Sequence, residues 1–294
     1  MMRAGARYQR PLTISFFLIG TFFLVEAVAG VMTNSLALLS DAGHMLTDVI
    51  GLGMALAAVR LASSRANDRE SHTFGLYRLE ILAAFVNALL LFGVAIYVLV
   101  EAGRRVFDEP EILGWPMFVV AVLGLVVNLI AFGLLREGSK ESINLQGAYL
   151  EVLADTVGSV GVVVAALAIE LLGWTWVDPV IAALIGLWIL PRTFKLGGQA
   201  VRVLLQAAPI GMDLEQMTED LESIPQVLDV HDLHVWTLTS GMDAASAHLM
   251  TANDANHHAV LDQARAVLSD SYGIAHATLQ VEPEDHTGCH ELDW

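Results

Sequence analysis

Two short runs in this chain place ionisable side chains inside otherwise apolar sequence. The first reads Ser40-Asp41-Ala42-Gly43-His44-Met45-Leu46-Thr47-Asp48, with His44 and Asp48 four residues apart. The second reads Tyr149-Leu150-Glu151-Val152-Leu153-Ala154-Asp155, with Glu151 and Asp155 at the same spacing. On a helix, positions i and i+4 share a face. Two facing helices of this kind present one imidazole and three carboxylates to one point, a set suited to tetrahedral coordination of a divalent metal. No Lys or Arg accompanies the four residues in either run. Without a cation they would carry up to three negative charges in an apolar medium, where buried charge must be paired, protonated or metal-bound. The competing reading is a hydrogen-bonded polar cluster, or a proton relay with no metal. Asp41 lies nearer the start of its helix and fits a cap, a vestibule charge or a partner behind the ligands. Glu26 fits either a proton path or a buried hydrogen bond. Asn87 and Asn128 read as interhelical hydrogen bonders.

The elements that must carry these residues are membrane helices. Six apolar stretches, roughly 13–33, 36–60, 79–101, 114–135, 145–171 and 176–194, approach the length of about 20 residues that spans a bilayer. The second and fifth hold the charged runs, and an ionisable group in a span is a functional hypothesis by default. Arg3, Arg7 and Arg10 before the first stretch, with Ala27-Val28-Ala29 at its end, imitate a cleavable leader. The stretch is long for one, and the second stretch follows almost at once. Lys and Arg placement sets orientation. With the N-terminus inside, the inner side holds Arg3, Arg7, Arg10, Arg60, Arg65, Arg69, Arg78, Arg136, Lys140, Arg192, Lys195 and Arg202, against Arg104 and Arg105 outside. The expectation is a six-helix membrane domain over 1–208 and a cytoplasmic domain with a tail over 209–294, both termini being cytoplasmic.

Composition divides the chain at the same point. Of its 294 residues, 55% are hydrophobic and 16% charged, where soluble proteins average about 25% charged. Residues 1–208 hold 14 of the 15 basic and 16 of the 32 acidic residues; residues 209–294 hold Arg265, the other 16 acids and eight of the ten histidines. A net charge of -17 argues against a nucleic-acid partner, which needs clustered Lys and Arg, and favours cations. No phosphate-binding G-x-x-x-x-G-K-[ST] loop is present, so no nucleotide is expected. Neither H-E-x-x-H nor G-x-S-x-G appears, so no enzyme is expected. A single cysteine, Cys289, excludes an internal disulfide framework.

Residues 209–285 alternate as αββαβ. Asp213 caps a helix with Leu214, Met217 and Leu221 on one face. Val227–Thr239 and Ala244–Thr251 read as strands around Ser240-Gly241, Ala255–Ser271 as a helix with Val260, Ala264, Val267 and Leu268 inward, and Ala275–Glu282 as a third strand. Strict alternation puts His234 on the strand face opposite His231, in a structural role. His276 also reads as structural, and His257 and His258 as solvated helix surface.

These residues resemble the cation diffusion facilitator family of divalent-metal/proton antiporters. The match includes Ser35 to His44 with Asp48; His72-Thr73-Phe74-Gly75-Leu76-Tyr77-Arg78-Leu79-Glu80; Ala154-Asp155 with Gly158-Ser159; Val177-Asp178-Pro179; and His231-Asp232-Leu233-His234-Val235-Trp236. Order and spacing agree from about residue 12 to 285. The resemblance implies six transmembrane helices, a ferredoxin-like cytoplasmic domain, a homodimer, and a transport site of His44, Asp48, Asp155 and the residue at 151. Many zinc exporters of the family have His where Glu151 stands here. The carboxylate hardens the site, and carboxylates suit Mn²⁺ or Fe²⁺ better than imidazoles do. The family often binds metal in the cytoplasmic domain, and the matching positions are His231, His248 and Glu282. Tail residues His286, Cys289 and His290 either complete such a site or belong to a disordered tail. Asp68, Glu70 and His72 sit where some members bind metal, and otherwise form a solvated loop.

The expected activity is secondary efflux of a divalent metal, Zn²⁺ first and Cd²⁺ or Co²⁺ beside it, in exchange for protons. Zn²⁺ is then substrate and, at the cytoplasmic site, regulator. Ligands must be deprotonated to bind metal, so protons and metal compete at one site. The alternatives are the same antiport selective for Mn²⁺ or Fe²⁺, and a membrane metal sensor that does not transport. The plasma membrane is the expected location.

Overall fold

The computed structural model describes residues 2–63, 74, 77–105, 111–136, 143–239 and 241–286. Its first unit is helical. The helices are α1 (Met2–Thr33), α2 (Leu36–Ser63), α3 (Tyr77–Arg105), α4 (Gly114–Arg136), α5 (Ile143–Leu172) and α6 (Val177–Leu204). α1, α3, α4, α5 and α6 are long and apolar enough to cross a membrane. α2, at 28 residues, has the length as well and carries the polar residues Asp41, His44, Thr47 and Asp48. All six helices therefore have the length of a span, and five of them are shown to have its composition. Large apolar side chains face outward: Phe17, Val31, Leu171 and Trp188 are each more than 60% exposed. Such a surface calls for lipid, and helices satisfy their own backbone there.

α1 packs on α2 and α4, α4 on α5, and α2 on α5. α3 and α6 meet through Phe92 and Phe194, whose rings lie 5.2 Å apart. Gly43, beside His44, lets α2 approach α3: a Cβ there would come within 2.5 Å of Val94 Cγ1. Apolar clusters of Ile19, Phe22 and Met45, and of Leu36, Leu38, Met117 and Val162, fill the interior.

The start of α2 is fixed from another helix. α1 and α2 are joined by Asn34 and Ser35, and Asn34 takes φ 57°, a left-handed conformation that Asn tolerates better than most residues. Asp178, at the start of α6 and fully buried, accepts from Ser35 Oγ at 2.6 Å, from the Leu36 amide at 2.7 Å and from the Ala37 amide at 3.2 Å. A carboxylate is thereby set at the positive end of α2. Arg105, at the end of α3, donates to the Asn34 carbonyl at 2.6 Å and Asn34 Oδ1 at 3.0 Å, and lies 3.9 Å from Asp178. One buried carboxylate thus ties together the ends of three helices.

The second unit includes α7 (Leu214–Glu222), β1 (Val227–Thr239), β2 (Met242–Thr251), α8 (His257–Asp270) and β3 (His276–Pro283). The order is αββαβ, as the sequence implies, with β2 starting two residues earlier than its apolar alternation. Asp213 caps α7 by accepting from the Gln216 amide, and Asn256 caps α8. The sheet order is β1-β2-β3, β1/β2 antiparallel and β2/β3 parallel. α8 supplies the crossover that a parallel pair needs. Met217 and Leu221 of α7 and Val260, Ala264 and Leu268 of α8 pack with Val230, Val235, Ala247 and Leu249 of the sheet. Both helices therefore cover one sheet face and leave the other open.

Replacing Asp178 by Ala leaves a buried hydroxyl and two helix-start amides without their acceptor. We expect a loss of about 2–4 kcal/mol, seen as a lower melting midpoint in detergent. Asp178→Asn, which keeps one acceptor oxygen, should fall between.

Candidate metal centres

Among the described residues, two groups of three side chains each bring one ligand atom within 4.8 Å of the others: His44, Asp48 and Asp155, and His231, His248 and Glu282.

The first group joins α2 to α5. His44 Nε2 lies 2.7 Å from Asp155 Oδ1, with both side chains more than nine-tenths buried. His44 and Asp48 share a face of α2 by their spacing, and Thr47 Oγ1 bonds the His44 carbonyl between them at 2.7 Å. His44 Nδ1 is buried without a hydrogen-bond partner among the described residues. A metal with bonds of about 2.1 Å spaces tetrahedral ligands about 3.4 Å apart. The His44–Asp155 contact is shorter than that, so the pair is closed more tightly than a shared metal would hold it. Glu151 lies in α5, four residues before Asp155, but its side chain is outside the described residues.

Behind these ligands lies a second polar layer. Glu26 of α1 and Asp41 of α2 share a side-chain hydrogen bond. Ser159 of α5 donates to Asp41 Oδ2 at 3.4 Å, and Asn128 of α4 donates to Ser159 Oγ at 2.9 Å. All four are at least 95% buried. Asp41 is therefore a partner within a four-helix network rather than the cap of α2, a role that Asp178 takes. Sequence separation of 143 residues hides that cap; the only trace is Val177-Asp178-Pro179 at a helix start.

The second group lies on the open face of the sheet. His231 and His248 are direct partners across β1 and β2, with ring centroids 5.3 Å apart. Glu282 arrives from β3, its Oε1 at 3.0 Å from His248 Nδ1 and its Oε2 at 3.6 Å from His231 Nε2. Glu282 is 4% exposed, and Gln280 Nε2 donates to its Oε1 at 2.6 Å. Asp229 Oδ2 holds His231 Nδ1 at 3.1 Å, a carboxylate–histidine contact of the kind that orients metal-binding imidazoles. That leaves Nε2 as the inward donor.

One face assignment is corrected. His234 pairs with Ser246 while His231 pairs with His248, so β1 carries an extra residue between them. Asp232, with φ 50°, sits in that bulge. The bulge reverses the alternation, and His234 shares the face of His231. His234 is exposed and borders an open hollow with Trp236, Leu233 and Ser246. His257 and His258 are exposed on α8. His276 is exposed and stacks edge-on with Phe74 at 5.8 Å. His286 is exposed, its amide bonded to the Pro283 carbonyl at 2.9 Å. Cys289 and His290, and the loop residues Asp68, Glu70 and His72, lie outside the described residues.

Comparison with known proteins covers nearly the whole chain. The family model for the cation efflux transmembrane domain matches residues 12–205, and that for the cation efflux protein cytoplasmic domain matches 209–284. The metal cation efflux system protein CzcD of Cupriavidus metallidurans is 49% identical over 93% of this chain and 86% of its own. The zinc transporter ZitB of Escherichia coli is 40% identical over 97% of this chain and 90% of its own. A cadmium, cobalt and zinc/H⁺–K⁺ antiporter of Bacillus subtilis is 36% identical over 95% and 90%.

If the cytoplasmic triad holds a metal, His248→Ala should lower Zn²⁺ bound by the full-length protein by about one equivalent per chain, since three protein ligands are the usual minimum. His257→Ala should leave it unchanged. Equilibrium dialysis with metal analysis reads both, and equal loadings would remove the triad as a site.

Proposed function

The chain belongs to the cation efflux family, and from that premise we propose that it exports divalent transition metal, Zn²⁺ first, from the cytoplasm in exchange for protons. It is a multi-pass membrane protein and a transporter rather than an enzyme. The observation that carries the reading is the buried His44–Asp155 contact, 2.7 Å between two helices, with Asp48 beside it. A metal entering there must part the pair, and a returning proton restores it and expels the metal. Competition at one set of ligands couples the two fluxes without ATP. Helix movement around a fixed central site then gives alternating access.

The relatives support the choice of cargo: that of Cupriavidus metallidurans is named a metal cation efflux system protein, that of Escherichia coli a zinc transporter and that of Bacillus subtilis a cadmium, cobalt and zinc/H⁺–K⁺ antiporter. The placement of Lys and Arg supports cytoplasmic termini, and the efflux relatives support the plasma membrane. The matched cytoplasmic family is a dimer domain by name, which supports a homodimer. Sixteen acidic residues in 209–294 against one Arg raise the local concentration of cations around that unit by long-range attraction. His231, His248 and Glu282 then read the cytoplasmic metal level and tighten or loosen the dimer. Glu151 completes the transport ligands and is the residue on which preference turns, because it replaces an imidazole by a harder carboxylate.

Purified protein in liposomes under an imposed pH gradient tests this. We expect Zn²⁺ flux that depends on the gradient and falls at least about a hundredfold in Asp155→Asn, as for loss of a metal ligand. Glu151→His should narrow the range toward Zn²⁺ and away from Mn²⁺. Flux of Mn²⁺ or Fe²⁺ alone in the parent would overturn zinc as cargo. Metal binding without any flux would make the protein a sensor.

A further inference from the structure

The transport ligands leave two buried carboxyl groups unexplained. Glu26 is 1% and Asp41 4% exposed, and they are hydrogen-bonded to each other. Neither residue is among the groups that converge as metal ligands. Two carboxyl oxygens bond only through a proton, so the pair holds one. The surrounding donors show which partner carries it. Asn128 occupies the acceptor side of Ser159, which turns the Ser159 hydroxyl hydrogen toward Asp41. Asp41 thereby has a donor on Oδ2 and suits the ionised partner. Glu26 Oε2 is buried with no hydrogen-bond partner among the described residues. A bare buried oxygen is tolerable on a neutral carboxyl and costly on a carboxylate.

Other charges near the pair leave this reading intact. α4 offers Gly124, packed on Glu26, and Asn128. α5 offers Ser159, with Asp155 one turn further along. α2 offers His44 and Asp48. Residues 11–33, 36–59, 114–135 and 143–172 contain no Lys or Arg, so no fixed cation neutralises the pair. Asp41 precedes His44 by three residues, about 4.5 Å along the helix, on the side where α2 begins. In the orientation proposed above, that side faces outward. A proton arriving from outside meets the pair before it meets the ligands.

We propose that Glu26 is the proton-carrying residue of a Glu26–Asp41 pair that loads the transport site with its counter-ion. The step is a proton transfer alone. As metal leaves outward, the O–H bond on the pair breaks and an N–H or O–H bond forms on His44 or a ligand carboxylate. The pair then takes its next proton from the outer side. This inference rests on the antiport reading, and adds a residue on α1 that touches no metal.

Glu26→Gln tests it, because the amide keeps a donor toward Asp41 and loses only the transferable proton. In proteoliposomes we expect Zn²⁺ binding and Zn²⁺/Zn²⁺ counterflow, which moves no net proton, to stay near the parent values. Flux driven by the pH gradient should fall at least about tenfold, a modest loss for a proton-transfer group, and Glu26→Asp should recover part of it. Parental gradient-driven flux in Glu26→Gln would overturn the proposal while leaving antiport in place. Joint loss of binding, counterflow and driven flux would overturn it too, by making Glu26 a packing residue. A parent protein that performs counterflow yet ignores the pH gradient would remove the antiport reading itself, and this one with it.

Discussion

A carboxylate inside hydrocarbon must find a cation or a proton, and most of the helical unit follows from that constraint. Glu26, Asp41, Asp48 and Asp155 lie on three helices whose apolar stretches contain no Lys or Arg. The single imidazole among them, His44, is drawn to Asp155 at 2.7 Å. That contact requires α2 and α5 to run side by side at one height. The four-helix arrangement of α1, α2, α4 and α5 and the small residue Gly43 beside His44 serve this meeting. The remaining acids are served by hydroxyl and amide donors, Ser159 and Asn128, which can orient a carboxyl but cannot neutralise it. The site is consequently short of positive charge by construction, and only mobile cations make up the difference.

Height along the bundle is set at the far end of α2. Asp178 holds the first turn of that helix from α6, and Arg105 holds the connecting Asn34 from α3. A register slip of α2 by one residue would rotate His44 and Asp48 by about 100° away from α5. The buried cap opposes such a slip with three hydrogen bonds that only this register satisfies. Helices α3 and α6, which carry no transport ligand, thus still govern where the ligands stand.

That His44 and Asp48 share a face was readable from spacing, because an (i, i+4) pair on a helix needs no tertiary information to do so. His44, Asp48 and Asp155 duly converge. The αββαβ order was equally readable, since Asp213, Asn256 and the apolar alternation act locally. Three features were not. The Asp178 cap joins residues 143 apart in sequence. The Glu26–Asp41 bond depends on how α1 lies on α2, which neither helix specifies alone. The face of His234 depends on one left-handed residue, Asp232, and a one-residue bulge reverses every alternation beyond it. Helix ends were also longer than the apolar stretches, because polar residues extend a helix as readily as apolar ones. α6 runs ten residues past its apolar part, to Leu204.

On the proposed function, the two groups differ in a way that separates their duties. In the cytoplasmic triad, Glu282 stands 3.0 and 3.6 Å from its two histidines, already near the spacing of about 3.4 Å that a tetrahedral metal imposes. Asp229 holds one imidazole in advance, so on the proposed reading a metal there asks for little rearrangement. The membrane group is closed on itself at 2.7 Å and must open to bind. On the proposed antiport, the energy of that close contact is lost on loading and regained on release, which weakens retention of the metal and rewards exchange. A site arranged for residence and a site arranged for turnover can thus be built from the same residue types. What distinguishes them is whether the ligands are held apart by the sheet or drawn together by the bilayer.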